Sequence, residues 1–146
     1  MYSSFLILHN VLRWIVLLVC VIAVFSSLFK WNAKKPWTRT DRLIGAGFVI
    51  AVDIQVLVGL LLFGFLSPLT RAAFANFGVA MQNKEMRFFT MEHSLLMICF
   101  LALVHIGNAR VKRTTDDRGK HRTGLIWWGI SLLFLLAGIP WWRPFL

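Results

Sequence analysis

What constrains this chain most is the distance between its charges. Of 146 residues, sixteen are Lys or Arg and six are Asp or Glu. They leave four long apolar runs. Phe5 to Phe29 contains one charge, Arg13; Leu43 to Phe65 contains Asp53; Phe88 to Gly107 contains Glu92; Gly124 to Trp142 contains none. A helix crosses the hydrocarbon core of a bilayer with roughly 20 mostly apolar residues, and each run meets that need. Helices of a soluble bundle would carry polar stripes at helical spacing, whereas these runs are apolar on nearly every side. The 58% hydrophobic content exceeds the roughly 45–50% of soluble domains and excludes disordered, collagen-like and coiled-coil chains. The sequence predicts an all-α fold, a four-helix transmembrane bundle running up-down-up-down. It forms one integral membrane domain over 1–146, with helices at about 4–30, 43–65, 88–110 and 123–142. No basic residue precedes the first run and no small-residue cleavage site follows it, so it reads as a span rather than a cleaved signal peptide.

The remaining charges orient the bundle. Lys30, Lys34, Lys35, Arg39 and Arg42 fall in the first connection, and Arg110, Lys112, Arg113, Arg118, Lys120 and Arg122 in the third. With four spans these connections share a side, and the positive-inside rule puts that side in the cytoplasm. Both termini and the connection from Leu66 to Arg87 are then expected outside, in a bacterial cytoplasmic membrane. The net charge of +10 is explained by this topology. No basic stripe with interleaved aromatics points to nucleic acid. Trp31, Trp37, Trp127 and Trp128 near the inner boundary, and Trp141 and Trp142 near the outer one, fit interfacial belts. In the outer connection, Ser67-Pro68 resembles an N-cap with proline at the first helical position. Leu69, Ala73, Phe77 and Met81 follow at four-residue spacing, which predicts an interfacial helix between the second and third spans. Cys20 and Cys99 read as packed thiols, and no CxxCH motif for covalent haem attachment is present.

Polar residues at membrane depth carry the functional information, because each is costly unless paired or hydrated. His9 and His93 each lie about five residues in from the outer ends of the first and third segments. Those segments are diagonal in such a bundle, so the two imidazoles can serve as axial ligands to one haem iron between facing helices. Arg13 and Asp53 both reach the midplane, which predicts an ion pair between them; Arg13, one turn from His9, is also placed to donate to a cofactor. Glu92 is placed either to support a ligand imidazole or to pair with Arg87 or Lys84 at the boundary. Lys84 or Arg87 could neutralise haem propionates. His105 and His121 form a second same-level pair toward the inner side, a candidate second haem site. Gly47, Ala51, Gln55 and Gly59 read as a small-residue packing row.

His9-Asn10-Val11-Leu12-Arg13-Trp14, Arg87-Phe88-Phe89-Thr90-Met91-Glu92-His93, His105-Ile106-Gly107 before a basic run, Lys120-His121-Arg122 and Ile139-Pro140-Trp141 stand in this order. The arrangement resembles a group of small bacterial membrane proteins labelled cytochrome B. It is more loosely similar to four-helix membrane b-type cytochromes. The resemblance covers nearly the whole chain and implies haem b, one or two per chain. It carries over to the His9/His93 pair, while the inner pair matches no set pattern. The expected function is electron transfer linked to the quinone pool or to a respiratory or redox complex. Two other classes compete: a non-catalytic structural subunit of a larger membrane complex, and a small haem-dependent membrane oxidase. A bis-His iron has no open position, which disfavours oxygen chemistry.

Overall fold

The computed structural model describes residues 1–143, and all its regular elements there are helical. The long helices are α1 (Tyr2–Asn32) and α2 (Arg39–Leu61), continued by a π-helical turn at Leu62–Leu66. Three short helices follow: α3 (Pro68–Ala75), α4 (Phe77–Gln82) and α5 (Lys84–Arg87). A second π turn at Phe88–Glu92 leads into α6 (His93–Arg113), and α7 (Asp117–Gly138) ends the helical part. The last three residues of the expected domain lie outside the described residues.

Three of these helical stretches, Tyr2–Asn32, Arg39–Leu66 and Lys84–Arg113, are long and apolar enough to cross a membrane. At most a third of each apolar window is buried inside the protein, so most of that surface needs a lipid-like solvent. The segment expected as a fourth span forms a 22-residue helix that is not among the three, because its composition is more mixed. It opens with Asp117, Arg118, Lys120, His121 and Arg122, and Trp127, Trp128 and Gly129 interrupt its apolar run. It stops at Gly138 because Ile139 precedes Pro140 and is extended, at φ −73° and ψ 126°, as a residue before proline prefers.

α1 packs on α2 and α7, and α6 packs on α7 and α2. α1 and α6 therefore face each other across the ring of these four helices. The ring has a basic end, where the first and third connections lie, and a histidine end, where His9 and His93 lie. At the basic end Asp41 fastens α2 to α1. Its carboxylate accepts from the Thr38 backbone N–H at 2.8 Å and the Thr38 hydroxyl at 2.7 Å, a helix-start arrangement, and pairs with Lys30 Nζ at 2.6 Å.

Two expectations change here. Trp128 is not interfacial: it is 1% exposed, and glycines make room for it. A Cβ at Gly45 would stand 3.2 Å from its indole, one at Gly107 3.2 Å and one at Gly124 2.9 Å. Glycines from α2, α6 and α7 thus seat one large aromatic, which with Phe48 and Phe100 fills the middle of the ring. The single interfacial helix is also replaced. Ser67 caps α3 as expected, accepting from Thr70 N–H at 3.4 Å, but Asn76 breaks the row. It leaves helical geometry at φ −146°, ψ 81° and its side chain caps α4 through Val79 N–H. The buried positions become Thr70, Ala73 and Ala80, while Phe74, Phe77 and Val79 are exposed. A competing side-chain cap outweighs apolar periodicity where the helices are this short.

Candidate functional site

The two histidines meet. His9 of α1 and His93 of α6 have ring centroids 6.3 Å apart, with planes at 74°. Each is held by a different backbone device. α7 ends at Gly138, so its carbonyl lacks a helical partner; His93 Nδ1 lies 2.7 Å from that oxygen. A carbonyl only accepts, so Nδ1 carries the proton and Nε2 keeps its lone pair. On the other side, Gln55 of α2 donates to the His9 backbone oxygen at 3.1 Å, and its amide nitrogen stands 3.4 Å from His9 Nε2. The His9 ring lies against bare backbone, because a Cβ at Gly59 would come within 3.1 Å of its Cε1. His9 Nδ1 is buried without a hydrogen-bond partner among the described residues.

The π turns shape this end of the ring. A π turn closes with an i→i+5 bond, and here Ser67 N–H reaches Leu62 O and His93 N–H reaches Phe88 O. Residues five apart are thereby brought together. Arg87 Nε pairs with Glu92 Oε1 at 2.8 Å, and the Ser94 hydroxyl reaches Phe89 O at 3.0 Å. Both contacts are foreign to an α-helix, where i+3 and i+4 meet.

Beside the histidines is a cavity of about 750 Å³, within the roughly 300–1,000 Å³ of small-molecule sites. Its wall is mostly apolar, with Phe63, Met97, Phe100, Leu135 and Ile139 among the lining side chains. His9, His93, Gln55, Arg13 and Arg143 are among its polar groups, with Asn10 and Ser94 beside them, and Leu69 and Thr70 of α3 also line it. Thr70 fixes α3 there by donating to Phe63 O at 2.8 Å.

The other expected site residues are distributed differently. Glu92 takes the boundary position, paired with Arg87 and about half exposed. Arg87 is thus committed to Glu92 and reaches the Met81 carbonyl at 3.4 Å; neither it nor Lys84 lines the cavity. Arg143 does, with its guanidinium 4.6 Å from the Phe89 ring centroid and paired to Glu85. Arg13 lines the cavity but is not the partner of Asp53, whose Oδ1 stands 2.7 Å from His105 Nε2. The midplane estimate matched depth along the helices and could not fix the face each residue occupies. His105 therefore belongs to a pair on the outside of the ring, 48% exposed. His121, expected to form an inner site with His105, is 1% exposed inside α7 with Trp37 4.9 Å away. The two are not brought together. A second cavity of about 470 Å³ at the basic end is lined by Arg110, Arg113, Thr114, Thr123 and Trp127, and by neither histidine.

Gln55, Gly59, the Gly138 carbonyl and Arg143 are site features that the sequence reading missed. Gln55 had a signal, being a lone amide in an apolar segment. Gly59 was read as helix packing, and Gly47 of the same row meets nothing within 4 Å. Among the described residues, no group of three or more His, Cys, Asp or Glu stands together to hold a bare metal ion. Comparison of the chain with known protein families, curated proteins and solved structures finds no match.

Proposed function

We propose that this chain is a haem-b-binding protein of the bacterial cytoplasmic membrane that transfers electrons, with His9 and His93 as axial ligands. The carrying observation is their placement. Two imidazoles from opposite helices stand with centroids 6.3 Å apart beside a largely apolar cavity of about 750 Å³. Two metal–imidazole bonds of about 2.0–2.1 Å plus the half-width of each ring span a separation of this order. Two imidazoles are too few donors for a bare ion, but they match a macrocycle that brings its own equatorial nitrogens. The donor chemistry fits as well: His93 offers Nε2 because Gly138 holds Nδ1–H, the outer support that ligating histidines require. The cavity that His9 and His93 line would take one such group per chain, the lower of the one or two that the resemblance implies.

The iron would supply one-electron chemistry; the chain's residues do the rest. Gln55 and Gly138 fix the two imidazoles. Phe100, Met97, Leu135 and Ile139 keep water out and the local dielectric low. Arg13 and Arg143 line the wall where acidic substituents of the ligand would be neutralised, whereas Lys84 and Arg87 stand off it. α7 is read as the fourth span of an up-down-up-down bundle, with the two basic connections in the cytoplasm and both termini outside. A lipid-soluble quinol or a neighbouring redox complex is the donor.

The test is the pyridine haemochrome content of purified protein. Wild type should carry about one haem per chain, and His9→Ala and His93→Ala should each lose at least about tenfold, as expected when axial support is removed. His105→Ala and His121→Ala should keep it. Full haem content in both His9→Ala and His93→Ala would overturn the reading.

A further inference from the structure

We infer that the outer face formed by α2 and α6 is a two-fold interface between two copies of this chain, registered by Asp53 and His105. The inference does not depend on the cofactor reading.

The pair lies well inside the spanning helices, on the side turned away from the ring. Its side chains are 43% and 48% exposed. Hydrocarbon cannot solvate a carboxylate and an imidazole, so groups at this depth face protein or a wet cavity rather than lipid. Within one chain they satisfy each other only once, at Asp53 Oδ1 and His105 Nε2. Asp53 Oδ2 and His105 Nδ1 have no partner among the described residues. In the ion-paired form, one is an acceptor and the other a donor. Such a set is self-complementary: across a two-fold axis the Nδ1–H of each copy meets the Oδ2 of the other, as an isologous contact requires.

The surroundings are built for close approach. On α2, Ala46, Ile50, Asp53 and Leu57 follow one another at spacings of four and three; on α6, Leu95, Ile98, Ala102, His105 and Ala109 do the same. All of these except the half-exposed Asp53 are exposed. This is the spacing of a helix-packing seam, and one polar member within such a seam fixes register. Small side chains flank the charged pair, Ala46 on α2 and Ala102 and Ala109 on α6. Small residues are what membrane helices use to bring backbones together. α2 and α6 also make the sparsest pairing of the ring, so a second copy can seat along their joint.

The test is disulfide trapping in native membranes, on a background with Cys20 and Cys99 replaced by alanine. Ala102→Cys should give a cross-linked dimer on mild oxidation, whereas Leu133→Cys on the exposed face of α7 should not. Adding Asp53→Asn to Ala102→Cys should cut the trapped dimer severalfold; light scattering of the uncross-linked protein in nanodiscs should show the same loss. Ala102→Cys that stays monomeric, traps a different polypeptide, or cross-links no better than Leu133→Cys would overturn the inference.

Discussion

At the scale of single residues, the site rests on how few atoms hold each imidazole. Gln55 ties α2 to α1 at the His9 carbonyl and touches the ring. Gln55→Leu keeps the shape and removes the donor. We expect haem affinity to fall about 10–100-fold, the usual cost of losing an outer-shell partner, with helicity by circular dichroism unchanged. Gly59→Val should act sterically, since even a Cβ stands 3.1 Å from His9 Cε1; haem content should drop while the protein remains folded. The histidines were legible from sequence because an imidazole in an apolar run is conspicuous. Their supports were not: a backbone carbonyl such as that of Gly138 has no signature, and a glycine's role depends on what it faces. The Arg13–Asp53 pairing failed for the same reason. Depth is linear in residue number, but facing direction depends on how the helices are rotated in the ring.

At the scale of elements, the filling of the ring differs along its length. Trp128 occupies the space that Gly45, Gly107 and Gly124 leave. Trp128→Ala should cost about 3–5 kcal/mol, the range for large buried aromatics, read as a lower midpoint in detergent unfolding. Gly107→Ala should cost about 1–3 kcal/mol by overpacking, because its Cβ would meet Trp127 Cβ at 2.6 Å, and α6 would have to move off α7. The existence of the long helices follows from charge spacing alone, but their ends do not: α7 begins at Asp117, six residues before the expected 123, because Asp116 caps it inside the basic connection. The burial of Trp128 was not readable, since tryptophan at a span's edge is equally at home in an interfacial belt. The short helices were half readable. The Ser67-Pro68 start has a chemical signature; the break at Asn76 arises from a side chain choosing its own backbone over a longer apolar row.

At the scale of the whole molecule, charge sets orientation. Eleven of sixteen basic residues lie in two connections, and the positive-inside rule then predicts the sidedness. A periplasm-active phosphatase fused after Met1 or at Asn76 should be active, and one inserted at Lys35 or Asp116 inactive. The reverse pattern would invert the topology without altering the ring. The half-exposed Asp53–His105 pair could not be foreseen at this scale, because its significance lies in what surrounds the chain.

The paired π turns have a consequence for chain length. Each holds one residue more than an α-helical turn would need, and both lie at the same end. Deleting one residue between Phe88 and Met91 would wind that segment back to ordinary helix and bring Arg87 and Glu92 to four-residue spacing, where they still meet. A matching deletion in Leu62–Leu66 would do the same at the other anchor of the α3–α5 cap. Homologues shorter by one residue at either place should therefore keep the ring, with unbroken α-helix where the π turn stands.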